Sequence, residues 1–250
     1  MTSTLPTSAN HRRLNLNGAY NFRDLGGFAA GPGAVTRWNK LFRSDALHRL
    51  DDSARGILRE RGLALVIDLR EQQELADAPS ALDGVGHRGL HLPVYEGEID
   101  LDGANYDLAT VYREMIAKHG QRLTRAVRAI AASGDAPTVV HCTAGKDRTG
   151  LVIALTLTAV GVDRRDVVAD YAMTEIMLAG DWSLAMAEKM RSRGLPDAVD
   201  VDHLVGASPA ALMRATLDSI THSHGGVREY LLAHGMTAAE LDDLRAALVV

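Results

Sequence analysis

Apolar positions along this chain follow two alternating rhythms. Short apolar runs bounded by turn residues, Ala64 to Arg70 with its charged end, Gly89 to Val94, and Thr138 to Val140 after Pro137, predict buried strands, and Val35 to Arg43 reads as a further strand or hairpin arm. Between them, Leu108 to Ile116 and Leu123 to Ala131 place apolar residues at helical spacing. Asp51 or Asp52 can cap a helix through Ile57 and Leu58 that stops at Gly62. Strand and helix in alternation predict an α/β fold around a central, mostly parallel sheet flanked by helices. Beyond Gly150 the chain is almost wholly apolar to Val162, as a buried helix would be. Helices follow over 164–179, 182–193, 209–223, 227–234 and 238–248, with starts at Ser208-Pro209 and at the Thr237/Glu240 capping box. This helical C-terminal elaboration contains a segment, 180–208, that reads as a lid bearing Trp182, Met186 and Met190, or as helices whose apolar groups pack on the sheet.

Residues 1–14 are polar and read as a flexible tail, leaving 15–250 as a single domain, and Asn21 to Gly27 reads as a compact turn. At 250 residues, 46% hydrophobic and 24% charged, the chain can bury a sizeable core. A net charge of −5 without a basic run argues against nucleic-acid binding. The longest uncharged apolar stretch, Leu151 to Val162, spans 12 residues, short of the roughly 20 a membrane-spanning helix needs. The Ser/Thr-rich start lacks the apolar core of a secretory signal, so the expected location is cytoplasmic, or exported without a cleavable signal peptide. A single cysteine, Cys142, excludes an intrachain disulfide and any cysteine-cluster metal site.

That cysteine opens the most informative segment, His141-Cys142-Thr143-Ala144-Gly145-Lys146-Asp147-Arg148-Thr149-Gly150, between a strand and the buried helix. Five residues between Cys142 and Arg148 can wrap so that their amides and the helix N-terminus converge on an anion. Positive potential there favours thiolate over thiol at Cys142. Arg148 can hold two phosphate oxygens with its planar fork. Thr149 can offer its hydroxyl to the sulfur, and His141 is expected to orient the loop through backbone contacts.

These residues resemble the His-Cys-x5-Arg-Ser/Thr signature of the protein tyrosine phosphatase superfamily. Together with Asn21-Phe22-Arg23-Asp24-Leu25-Gly26-Gly27 and Val66-Ile67-Asp68-Leu69-Arg70, the loop is similar to that of the bacterial tyrosine/serine phosphatase family, which also acts on phosphoinositides and has secreted mycobacterial and Listeria members. The resemblance runs from about Leu14 to Val162 and continues in the helical C-terminal third. It implies a dual-specificity-phosphatase-like fold with a helical lid, and metal-independent hydrolysis through a cysteinyl-phosphate on Cys142, with no cofactor. The implied partners are phosphorylated proteins or phosphoinositides. Most relatives in the superfamily carry a general-acid aspartate on a loop about 30 residues before the cysteine. Here that window holds Glu96, Glu98, Asp100, Asp102 and Asp107, the last in a helical context.

Asp147 is the alternative acid, as in related lipid phosphatases, or it braces the loop against Arg23 or Arg70. Asp68 stands third, better suited to pairing with an arginine or a loop amide. Lys146 adds a charge suited to anionic headgroups, or sits solvated at the loop rim. Asp200, Asp202 and His203, or His222 and His224, are incomplete as metal ligands and read as solvated loop residues. Arsenate reduction needs resolving cysteines that this chain lacks, and a sulfurtransferase would not need Arg148-Thr149. A noncatalytic phospho-ligand binding module remains the alternative to an enzyme.

Overall fold

The computed structural model describes residues 11–95, 107–192 and 199–250. Strands β1 (Arg23–Asp24), β2 (Leu41–Ser44), β3 (Leu65–Asp68), β4 (Arg88–His91) and β5 (Thr138–His141) form one sheet in the order β1-β2-β5-β3-β4. Only β1 and β2 pair antiparallel; the other three pairings are parallel, as the sequence rhythm implies. In the shared register Ser44 and Asp68 both lie beside His141, so three loops leave the carboxyl ends of neighbouring strands together. That edge of a parallel sheet is where ligands generally bind.

Period-two alternation divides the strand residues between two layers. Phe42, Val66 and Val139 pack with Ala54 and Leu58 of α1 (Asp52–Glu60), whose first turn is capped by Asp51 through the Ala54 amide at 2.8 Å. Leu41, Leu65, Ile67 and Val140 face the opposite layer of α3 (Leu108–Lys118), α4 (Gly120–Ala131) and α5 (Asp147–Ala159). Helix α5 is buried without interruption from Thr149 to Leu157, which is why its sequence lacks an amphipathic stripe. Around it lie α6 (Arg164–Leu178), α9 (Ala210–His224), α10 (Val227–Ala233) and α11 (Ala238–Leu248).

Several details depart from the sequence expectations. The proposed strand 35–43 divides, because Val35 and Thr36 pair with Ala29 and the C-terminal Val249 and Val250 while only β2 joins the sheet. Residues 1–10 of the expected tail lie outside the described residues, but the chain is already pinned at Arg12, whose carbonyl accepts the Asp24 amide at 2.9 Å and whose guanidinium lies 3.7 Å from the centre of the Phe28 ring. A short helix, α2 (Gln72–Asp77), was invisible to the apolar pattern because it buries none of its residues. Helices α7 (Asp181–Arg191) and α8 (Val201–Gly206) form a pair in which Trp182, Met186 and Met190 pack with Ala187, Val201 and Val205. These groups therefore pack on one another within the pair, not on the sheet.

Candidate active site

Residues 142–146 leave β5 and enter α5, and their conformation is imposed from outside by hydrogen bonds to the loop carbonyls. The Ala46 amide donates to Thr143 O at 3.1 Å, and the Asn21 side chain donates to Ala144 O at 3.0 Å and Gly145 O at 3.2 Å. Arg43 Nη2 also donates to Gly145 O, at 2.5 Å. In a trans peptide the C=O and the following N–H point in opposite directions. Anchoring three successive carbonyls on the outside thus turns the amides of 144–146 inward, and among the described residues none of them has a hydrogen-bond acceptor. Gly145 takes φ +64°, and a Cβ there would stand 2.2 Å from Ser44 O, so only glycine fits this close passage.

The carbonyl anchors are themselves held by buried charge. Arg23 Nε and Arg43 Nη1 grip the two carboxylate oxygens of Asp170 at 2.8 and 2.6 Å, and Arg23 also donates to the Asn21 side-chain oxygen. Burial alone would raise the Asp170 carboxyl, but the two guanidiniums outweigh it and hold its pKa at about 2. Asp45 accepts the amides of Tyr20 and Asn21 at 3.1 and 3.0 Å, fixing the other end of the same brace. Asn21 and Arg23 therefore form the outer scaffold of the loop.

Cys142 is buried at the loop's base and is 2% exposed. Thr149 is fully buried, and its hydroxyl has no partner among the described residues. Arg148 is engaged by a residue the sequence reading missed: Glu74 of α2 takes Nη2 on Oε1 at 2.8 Å and Nη1 on Oε2, and Oε1 also accepts the Thr143 hydroxyl. Those contacts outweigh burial and bring the Glu74 carboxyl to a pKa of about 2. Two of the five guanidinium N–H groups are thereby used, which leaves three for an anion in the cradle. The sequence clue was the Glu71/Glu74 capping box, in which Glu74 Oε2 accepts the Glu71 amide at 2.9 Å.

His141 lies fully buried between the loop and Asp68, with Nδ1 3.4 Å from Cys142 O and Nε2 3.5 Å from Asp68 Oδ2. Asp68 is paired with Arg70 at 2.6 Å, and Arg70 in turn reaches Ala78 O and Ser80. Although burial would raise the Asp68 carboxyl, His141 and Arg70 bring it below its ordinary value, which disfavours a protonated acid there. Burial pushes the His141 pKa down from 6.5 to about 4. The unfolded chain then binds the extra proton between those values, so stability from this group is present above pH 6.5 and lost as pH falls toward 4, by about 2 kcal/mol between pH 7 and 4.5. Asp45, raised by burial from 3.8 to about 6, contributes with the opposite sign over nearly the same window. The expected result is therefore read as a difference: the stability gap between wild type and His141→Gln in urea unfolding narrows by about 2 kcal/mol from pH 7 to pH 4.5. A gap independent of pH would show that His141 titrates normally in the fold.

Two expectations need correction. Asp147 pairs with neither Arg23 nor Arg70, which are committed to Asp170 and Asp68; its Oδ1 instead accepts the Tyr112 hydroxyl at 2.9 Å. Lys146 is neither solvated nor turned to an open cradle: it is 1% exposed and donates to Leu204 O at 2.6 Å and Val205 O at 3.3 Å at the end of α8. Asp107 is the N-cap of α3, accepting the Thr110 amide at 2.6 Å, while the carboxylates at 96–102 lie outside the described residues. Asp200 caps α8 and Asp202 pairs with Arg191 at 2.5 Å, and no group of three metal-ligating side chains occurs among the described residues.

Comparison with known proteins places this geometry in context. The profile of the tyrosine phosphatase family matches residues 14–250. The triple specificity protein phosphatase PtpB of Mycobacterium tuberculosis is 31% identical over 276 aligned positions, covering 94% of this chain and 98% of that protein. A tyrosine-protein phosphatase of Nostoc commune is 29% identical, covering 82% and 73% of the two chains. Among solved structures, P. aeruginosa TpbA in complex with pTyr is 19% identical with a TM-score of 0.39, over 71% of this chain and 91% of that one. A cysteine at the base of a braced anion loop, matched over nearly the whole chain by this profile, makes the protein a member of the tyrosine phosphatase family, hydrolases of phosphate monoesters.

Proposed function

We propose that this phosphatase removes phosphate from phosphotyrosine in two displacements at Cys142, without a metal. The observation that carries the reading is the loop itself: inward amides above Cys142, with Arg148 already closed on a carboxylate. In the first step the Cys142 thiolate forms the S–P bond as the P–O bond to the phenol breaks, and Asp147 gives its proton to the departing oxygen. Arg148 and the amides of 144–146 follow the equatorial oxygens through the transition state. In the second step Asp147 takes a proton from water, which attacks phosphorus and expels the thiolate, and the Thr149 hydroxyl stabilises the sulfur as it leaves.

Phosphotyrosine is favoured over phosphoinositides because Lys146 is spent on the α8 carbonyls, so a second headgroup phosphate would have to displace Leu204 O. Helices α7 and α8 act as the lid in this reading, latched at Lys146 and hinged where Glu175 and Ser208 exchange hydrogen bonds at 2.8 and 3.0 Å. PtpB is described as a triple specificity phosphatase, so the range of substrates is the point to measure. Phosphate release from phosphotyrosine and phosphoserine peptides and from phosphatidylinositol phosphate vesicles, in EDTA, is expected to be fastest on the phosphotyrosine peptide. Phosphate binding without turnover on any of them would make the chain a phospho-ligand binding module.

A further inference from the structure

Among the described residues, the window about 30 residues before the cysteine contributes a phenol to the site. Tyr112 stands 30 residues before Cys142 on α3, and its hydroxyl lies 2.9 Å from Asp147 Oδ1 and 2.8 Å from the Tyr171 hydroxyl on α6. The two rings are buried and meet edge to face with centroids 6.0 Å apart. A hydroxyl carries one hydrogen, so when Tyr112 donates to the carboxylate it receives from Tyr171, giving a directed chain from Tyr171 through Tyr112 to Asp147. Burial and the nearby Asp147 charge raise both phenols above their ordinary range, so they remain neutral donors. A phenylalanine pair would fill the same apolar space, so packing does not account for two buried hydroxyls that end on one carboxylate.

The groups around Asp147 come from several elements. Lys146 Nζ lies 3.7 Å from the same Oδ1, Tyr112 approaches from α3, and Tyr171 stands behind it on α6. The Tyr95 phenol lies in the combined field of Asp147, Arg148 and Cys142. Oδ1 is thus engaged twice, while Oδ2 has no partner among the described residues. We propose that Tyr112, backed by Tyr171, is a positioning residue for Asp147, fixing Oδ1 so that Oδ2 is the atom that exchanges a proton with the substrate's leaving oxygen. This rests on the reading of Asp147 as the general acid.

The test compares p-nitrophenyl phosphate, whose phenol departs readily as an anion, with phenyl phosphate, whose leaving oxygen needs a proton. Tyr112→Phe is expected to lower kcat about tenfold on phenyl phosphate, a part of the 10²–10⁴ a general acid supplies, with KM little changed and a several-fold smaller loss on p-nitrophenyl phosphate. Tyr112→Phe added to Asp147→Asn is expected to cause no further loss. Equal losses on both substrates would overturn the proposal and leave the phenols a packing role. If Asp147→Asn alone shows no dependence on the leaving group, the general-acid reading fails and the proposal with it. If Asp147→Asn shows that dependence and Tyr112→Phe does not, only the positioning role falls. Thermal unfolding of Tyr112→Phe, which keeps the ring, separates these outcomes from simple loss of fold.

Discussion

Cys142→Ser is expected to reduce turnover of p-nitrophenyl phosphate in EDTA on the order of 10⁴-fold or more, while leaving the protein folded and able to bind phosphotyrosine peptide. The loop favours an anion at its base through the amides of 144–146 and the first turn of α5, and a thiol yields its proton to that field far more readily than a serine hydroxyl does. Serine is close to cysteine in size, and the carbonyl anchors from Asn21, Arg43 and Ala46 do not touch the side chain at 142, so the cradle persists. Binding is therefore expected to survive the loss of chemistry. A serine variant with more than a hundredth of wild-type turnover would show that the nucleophile is not the group at 142.

The second large effect is at Arg148, where Arg148→Lys is expected to cost about 10³-fold in kcat/KM despite keeping the charge. The guanidinium is held end-on by Glu74 with two N–H groups, which presets the plane in which the rest of the fork meets the phosphate. A lysine ammonium is a point charge that can satisfy Glu74 or the substrate, but has no fixed fork to serve both. Because an ammonium drawn to Glu74 is turned away from the substrate, KM is expected to rise along with the fall in kcat. A lysine variant within tenfold of wild type would mean that charge alone, without planar geometry, accounts for this position.

What the sequence disclosed about the site was what is contiguous in it. Cys142 to Thr149 form one turn of chain between a strand and a helix, so their spacing reported their geometry directly. Asn21, Arg23, Asp68 and Arg70 were visible as motifs, but their contacts were not. Asn21 reaches the loop across 123 residues, and Arg43 reaches Asp170 across 127. Such partners are chosen by strand order, which single-sequence periodicity does not encode. Glu74 leaves no periodic signal because α2 has no apolar face, and Tyr112, an aromatic at helical spacing, reads as core although its hydroxyl ends on a carboxylate. From charge alone, Lys146 reads as a surface group or an anion ligand. Its burial under the α8 carbonyls depends on a helix nearly 60 residues downstream.

The central claim is that phosphate passes through a covalent bond to Cys142, and trapping that species is the most direct test. Wild type turning over a phosphotyrosine peptide in EDTA, quenched in acid within the first turnovers and digested for mass spectrometry, is expected to carry one phosphoryl group on the peptide containing Cys142. That signal should be absent from Cys142→Ser and should increase in Asp147→Asn turning over p-nitrophenyl phosphate, whose phenol departs without a proton while water is no longer activated for the second step. Steady turnover with no phosphoryl group on Cys142 in either the wild type or Asp147→Asn would contradict the account.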